Sequence, residues 1–150
     1  MIDIPLARLV GMPISQCGNH WALKYLGKPW RAGAYGPDAF DCWALLVDIY
    51  QKQLGISLPL HSNVDRNPLD MACMASHDIA TEWHEVSEPV DWCGVGLSNV
   101  PGRVTHVGVY IGKANMVLHT QKVSGCIIEP LESVLRKFKQ VTYYAHSSRV

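Results

Sequence analysis

Residues 37–50 read PDAFDCWALLVDIY, and this stretch decides the fold. From Cys42 onward, apolar residues recur at spacings of three and four, which predicts an amphipathic helix. Asp41 can cap the start of this helix, and Gly55 supplies its stop. Cys42 therefore lies in the first turn, where unpaired N–H groups and the helix dipole favour the thiolate, the nucleophilic form of cysteine.

A second pattern, typical of β-structure, follows in the C-terminal third of the chain. Thr105–Ile111 and Met116–Thr120 are β-rich runs joined by a tight Gly112–Asn115 connection, which predicts a hairpin. The other predicted elements are helices over Ser15–Leu26, Leu69–Trp83 and Leu131–Phe138 and strands over Cys126–Glu129 and Val141–His146. Helices first and an antiparallel sheet afterwards predict an α+β fold, with the nucleophile helix packed on the sheet.

Composition and charge restrict the classes of function. The chain has 150 residues, of which 48% are apolar and 17% charged, so we expect one domain over residues 1–150 with a single core. The formal net charge is zero, and we therefore expect neither a nucleic acid nor a membrane as partner. Met1–Gly11 does not form a signal peptide, and no window approaches membrane-spanning length, which predicts a soluble, uncleaved chain.

The cysteines do not form a disulfide or zinc pattern. They are five in number, widely spaced and without a CxxC pair: Cys17, Cys42, Cys73, Cys93 and Cys126. A reducing compartment at the time of synthesis is the simplest interpretation, and at least one thiol is then free for chemistry. Cys73 and His77 lie four apart on a predicted helix and could share a metal, but no further ligand has suitable spacing.

A nucleophilic thiol needs a base, and the first β-rich run offers one. Alternation along this strand puts His106, Gly108 and Tyr110 on one face. We expect that face to form a site and the opposite, valine-rich face to form the core. Gly108 has no side chain and leaves room beside His106 for a helix N-terminus or a peptide. His106 is therefore the candidate base.

The imidazole of a base also needs a partner that orients it through its other ring nitrogen. His119 is the candidate. If Ile111 pairs with either Ala114 or Met116 across the hairpin, His119 lies on the same face as His106. Gln121 is a nearby substitute for this role.

The segment around Cys42 and the segment around His106 and His119 resemble those of the NlpC/P60 cell-wall peptidases. Residues 27–30 (GKPW), 35–46 (YGPDAFDCWALL) and 58–59 (LP) resemble the nucleophile half, and residues 105–112 (THVGVYIG) and 116–119 (MVLH) resemble the other half. The resemblance covers roughly residues 27 to 146 and implies a papain-like fold. It also implies Cys42 as nucleophile, His106 as base and His119 as the polar third member.

Two segments depart from the family pattern. Where the family usually has a tyrosine near the thiol, this chain has Trp30, with Tyr35 close behind. The oxyanion would then be held by the Cys42 backbone N–H and the Trp30 indole or the Tyr35 hydroxyl, and Asp41 is a further candidate for contact with substrate. In place of a Pro-Gly-Asp-Leu segment the chain has residues 88–97, with Asp91 as an approximate counterpart.

The resemblance implies a substrate and a setting. Family members cleave the bond between D-glutamate and diaminopimelate in murein peptides, or related amide bonds, and this chemistry needs no metal or cofactor. The string PDAFDCW at 37–43 resembles in particular the version found in phage tail assembly proteins. We therefore expect peptidoglycan stem peptides as substrate, other tail proteins as partners, synthesis in the cytoplasm of a bacterial host and a place in the virion tail.

Two alternatives remain open on the same scaffold. One is a structural tail-assembly protein in which catalysis is weak or lost. The other is an amidase or acyltransferase, since a fold does not fix its substrate. Residues 63–88 contain no readable motif, and we expect them to shape the substrate groove or a partner contact.

Overall fold

A central antiparallel sheet with helices on both faces organises the chain. The computed structural model describes residues 21–59, 83–99 and 106–149. Its helices are α1 (Cys42–Ile49), which continues as a π turn over Tyr50–Leu54, and α2 (Leu131–Lys137). Short 3₁₀ helices cover Trp21–Lys24 and Ser147–Arg149. The strands are β1 (Trp83–Val86), β2 (Gly94–Ser98), β3 (His106–Ile111), β4 (Met116–Gln121), β5 (Gly125–Pro130) and β6 (Gln140–His146).

The six strands form one sheet in the order β1-β6-β2-β3-β4-β5, and every neighbouring pair is antiparallel. The α+β prediction and the predicted hairpin are confirmed. In the hairpin, Ile111 pairs with Met116 and Val109 with Leu118. This is one of the two registers that the sequence allowed, and it places His119 across from Gly108, two residues along from His106.

The first helix begins and ends where the sequence predicts. One carboxylate oxygen of Asp41 accepts the Ala44 N–H at 2.8 Å, and the other accepts the Gly33 N–H at 3.2 Å. The helix and its π turn end at Gly55, which has a φ of 68° that a glycine adopts without strain. Local capping chemistry therefore fixes the position of Cys42.

The sheet is buried on both faces. On one face, α1 packs against Val107, Val109 and Leu118. On the other, α2 packs Val134 and its neighbours against a second cluster that includes Tyr110. The His106 face is not only a site but also packs a second core, because α2 folds back against β4, β5 and β6 on this side of the sheet.

The other predicted helices and strands agree with the structure only in part. The strands and the helix after residue 125 are confirmed within one or two residues. The Leu69–Trp83 helix is wrong at its last residue, because Trp83 pairs with His146 as the first residue of β1, and the rest lies outside the described residues. Of the predicted Ser15–Leu26 helix, residues 21–26 are described, and they form a 3₁₀ helix over Trp21–Lys24 followed by a turn. β1 and β2 were missed, since β1 is short and the two glycines of β2 weaken its pattern.

Two further expectations can be compared with only part of the chain. Cys73 and His77, the candidate metal pair, lie outside the described residues. Within 21–59, 83–99 and 106–149, no helix is long and apolar enough to cross a membrane.

Replacing Asp41 with Ala should destabilise the protein. The variant loses the cap of α1 and the acceptor for the Gly33 N–H, so we expect the free energy of unfolding to fall by about 1 to 2 kcal/mol, the usual range for a lost cap. Urea denaturation followed by circular dichroism measures the change. Asp38→Ala, an exposed neighbour in the same loop, is the control. Equal stability of the two variants would contradict the capping role.

Candidate active site

The loop before α1 places the candidate oxyanion residues. Its backbone is closed by hydrogen bonds from Arg31 N–H to the Phe40 carbonyl at 3.2 Å and from Phe40 N–H to the Pro29 carbonyl at 3.1 Å. Trp30 is half-buried, and Tyr35 is 61% exposed. Both form isolated β-bridges with Phe40, so their backbones are held beside the residue two positions before Cys42.

Cys42 is buried at the start of α1, with 5% of its surface exposed. Burial raises the pKa of its thiol to about 12, and the nearby Asp41 carboxylate acts in the same direction. Backbone N–H groups of Val107 and Trp43 point at the sulfur and favour the thiolate, but they do not outweigh burial. In this structure the thiol is therefore neutral at ordinary pH.

His106 and His119 form an imidazole pair, in which His119 is fully buried and His106 half-buried. Nε2 of His106 lies 2.9 Å from Nδ1 of His119, and the His106 ring stacks on Phe138 at 6.1 Å between centroids. Burial lowers the pKa of His106 to about 3, and the neighbouring His119 lowers it further. Burial and then the Lys137 ammonium lower the pKa of His119 to about 4. Both rings are neutral, so their contact is a hydrogen bond between a donor and an acceptor nitrogen.

The Cys42 thiol and the imidazole pair lie near the same end of β3, on different faces of the sheet. The Val107 backbone N–H favours the Cys42 thiolate, and Val107 directly follows His106 in the strand. The Val107 side chain packs with Cys42 in the cluster under α1, whereas the His106 ring contacts His119 and Phe138. Among the described residues, no hydrogen bond joins Cys42 to His106. The structure thus brings His106 and His119 together. Cys42 packs in the cluster of Val107, the next residue of β3.

Asp41 has a different role from the one expected. Both of its carboxylate oxygens accept backbone N–H groups, those of Ala44 and Gly33, and the residue is 1% exposed. A carboxylate cannot donate a hydrogen bond to an oxyanion. Asp41 therefore acts on the site by holding the loop and the helix that carry Cys42, and its contact with substrate stays a prediction.

The sequence analysis missed two charged residues beside the imidazole pair. Glu129 of β5 places Oε2 3.6 Å from Nε2 of His119, and Lys137 of α2 donates to the same oxygen at 2.7 Å. Gln121, the predicted substitute, has its amide nitrogen 3.5 Å from Nε2 of His119. The available signal was alternation in β5, which puts Glu129 on the face of its partner Val117 and hence of His119.

Comparison with known proteins identifies the type of domain. The family model of NlpC/P60 matches residues 27–144. The NlpC/p60 domain of the peptidoglycan hydrolase SagA is 18% identical, with a TM-score of 0.55 over 81% of this chain and 91% of that one. NlpC2 and NlpC1 from Trichomonas vaginalis are 18% and 19% identical, with TM-scores of 0.56 and 0.52.

The extent of these matches differs. The chain spans 42% of NlpC2 and 40% of NlpC1, while 84% and 82% of this chain are covered. At such identities the likeness concerns the fold. No curated protein sequence matches the chain.

The imidazole pair should make the protein less stable in acid. Because the folded pKa values of His106 and His119 are about 3 and 4, the unfolded chain binds more protons once the pH falls below about 6.5. The pair's contribution to the free energy of unfolding is complete above that pH and is lost progressively as pH falls toward the folded values. Urea denaturation at several pH values between about 7.5 and 4.5 measures this slope.

His119→Gln should flatten that slope, because one of the two buried neutral imidazoles is gone. His84→Gln, at an exposed position of β1, is the control and should keep the wild-type slope. Equal slopes for wild type and His119→Gln would contradict a neutral, buried pair.

Proposed function

The chain belongs to the NlpC/P60 family, and from this premise we propose that it is a cysteine peptidase that hydrolyses an amide bond in peptidoglycan stem peptides. One observation carries the proposal. The thiol at the N-terminus of α1 lies in the same core cluster as Val107, the residue next to His106, and His106 is hydrogen-bonded to His119. A nucleophile, a base and an orienting partner thus converge on one end of β3.

The reaction requires one movement. Nδ1 of His106 closes on the Cys42 sulfur while its Nε2 keeps the hydrogen bond to His119, and the thiol proton passes to Nδ1. The thiolate attacks the amide carbonyl, and the imidazolium gives its proton to the leaving amine as the C–N bond breaks. Water, deprotonated by His106, then hydrolyses the thioester and releases the carboxylic acid and the free thiol.

The negative charge on the carbonyl oxygen needs donors near the helix N-terminus. The backbone N–H of Cys42 supplies one. The second is the Trp30 indole N–H or the Tyr35 hydroxyl, since both residues lie on the loop that leads into α1. Tyr35 is the more exposed of the two and is the one that can swing over a bound peptide.

The finer assignments rest on sequence motifs. We propose the bond between D-glutamate and diaminopimelate because the segments at 35–46 and 105–112 resemble those of enzymes with that specificity. The string at 37–43 supports association with a phage tail and synthesis in a bacterial cytoplasm.

A structural tail protein with weak or lost catalysis is the second candidate. It is favoured by the lack of a hydrogen bond between Cys42 and His106 in the described chain and by a thiol pKa of about 12. An amidase or acyltransferase would use the same residues, but a transferase would pass the thioester to an amine instead of water. The products of the reaction distinguish these alternatives.

Hydrolysis of purified murein peptides tests the proposal. Wild-type protein should release new amino and carboxyl termini, identified by mass spectrometry, and Cys42→Ala should release none because the nucleophile is gone. Cys93→Ala, a second buried cysteine at the start of β2, is the matched control and should cleave like the wild type. Absence of cleavage by folded wild-type protein would favour the structural alternative.

Tyr35→Phe tests the second oxyanion donor. If the hydroxyl holds the oxyanion, kcat should fall by roughly 100- to 1000-fold with little change in KM, since the loss of one donor costs about 2.7 to 4 kcal/mol. Steady-state kinetics on the same murein peptide measures the effect, with Tyr143→Phe on β6 as control. Full activity of Tyr35→Phe would assign the role to the Trp30 indole.

A further inference from the structure

Four polar side chains from four elements form a continuous chain beside the second face of the sheet, buried at its middle and exposed at Lys137. They are His106 of β3, His119 of β4, Glu129 of β5 and Lys137 of α2, and we call them the His119 relay. The successive separations are 2.9 Å from His106 to His119, 3.6 Å from His119 to Glu129 and 2.7 Å from Glu129 to Lys137. His119 is 0% exposed and Glu129 is 7% exposed, so the relay is shielded from water along its middle.

The groups that face each ring nitrogen determine which nitrogens of His119 and His106 carry the protons. A carboxylate paired with an ammonium only accepts hydrogen bonds, and Glu129 faces Nε2 of His119. The proton of a neutral His119 is therefore favoured on Nε2, which leaves Nδ1 as an acceptor. Nδ1 of His119 faces Nε2 of His106, so His106 donates from Nε2 and carries its lone pair on Nδ1.

Gln121 is compatible with a proton on Nε2 of His119. Its amide group lies 3.5 Å from the same Nε2 of His119. The oxygen and nitrogen of a glutamine amide exchange places by a half turn, so Gln121 can present an acceptor to the Nε2 proton. Glu129 is the charged group that faces Nε2.

We propose that Glu129, clamped by Lys137, is a positioning residue that fixes the protonated nitrogen of His119 and thereby keeps Nδ1 of His106 free to accept the thiol proton. This inference rests on the proposed peptidase function for its catalytic consequence, but the arrangement of protons can be measured without catalysis. The field of the Glu129 carboxylate also raises the pKa of His106, in the direction that favours a base. The third member of the site is thus itself oriented by a charge pair.

The experiment is a long-range ¹H–¹⁵N NMR measurement of the histidine rings, which distinguishes the two neutral forms. In the wild type we expect His119 and His106 each to carry the proton on Nε2. In Glu129→Gln the shape is kept and the charge is lost, so His119 should become a mixture of forms. Glu132→Gln, an exposed acid in the first turn of α2, is the matched control and should show the wild-type pattern.

A second variant and a kinetic readout complete the test. Lys137→Met keeps the aliphatic stem and removes the clamp, and it should shift the His119 forms in the same direction, with Lys139→Met as control. In murein hydrolysis, kcat of Glu129→Gln should fall roughly tenfold at unchanged KM, part of the roughly 100- to 10,000-fold that a positioned base contributes.

The outcomes separate the two proposals. Unchanged protonation of His119 in folded Glu129→Gln overturns the relay, whatever the activity. If Glu129→Gln does not fold, Lys137→Met decides, and unchanged ring forms in that variant overturn the relay. Inactive wild-type protein with the expected ring forms overturns the peptidase function and leaves the proton arrangement established.

Discussion

Burial of strand β3 on both faces is the constraint on which the rest of the structure depends. Strand alternation sends Val107 and Val109 toward α1, and it sends His106 and Tyr110 toward α2. The core under α1 and the imidazole pair therefore both depend on the alternation of side chains along β3. Because Val107 packs in the same core cluster as Cys42, the thiol and the His106 imidazole lie at the same end of β3, on different faces.

Stability and catalysis place opposite demands on this strand end. Burial stabilises the neutral forms of Cys42, His106 and His119, which is why the thiol pKa rises and both imidazole pKa values fall. The proposed hydrolysis by Cys42 and His106 would use an ionised thiol and a protonated imidazole. Backbone N–H groups near the sulfur and the Glu129 carboxylate near the imidazoles favour these charged forms and act against burial.

The segment that departs most from the family pattern has a clear structural role. Asp91, just before β2, accepts the Gly112 N–H at 2.9 Å and so fastens this segment to the end of β3. Asn115 in the same turn accepts the Tyr110 hydroxyl at 2.7 Å, and its carbonyl accepts the Leu131 N–H at the start of α2. The turn between β3 and β4 therefore links the register of the hairpin to the helix that covers the imidazoles.

The sequence by itself determined the elements whose signals are local. Asp41 and Gly55 bound α1, and the β-rich runs on either side of the Gly112–Asn115 turn form the hairpin, because caps, periodicity and turns depend on residues a few positions apart. The pairing of His106 with His119 followed from strand alternation. Only the tertiary structure decided that α2 covers their face, that α1 packs behind Val107, and that Glu129 and Lys137 join the imidazoles. Burial and charge proximity arise from residues distant in sequence, so no local pattern contains them.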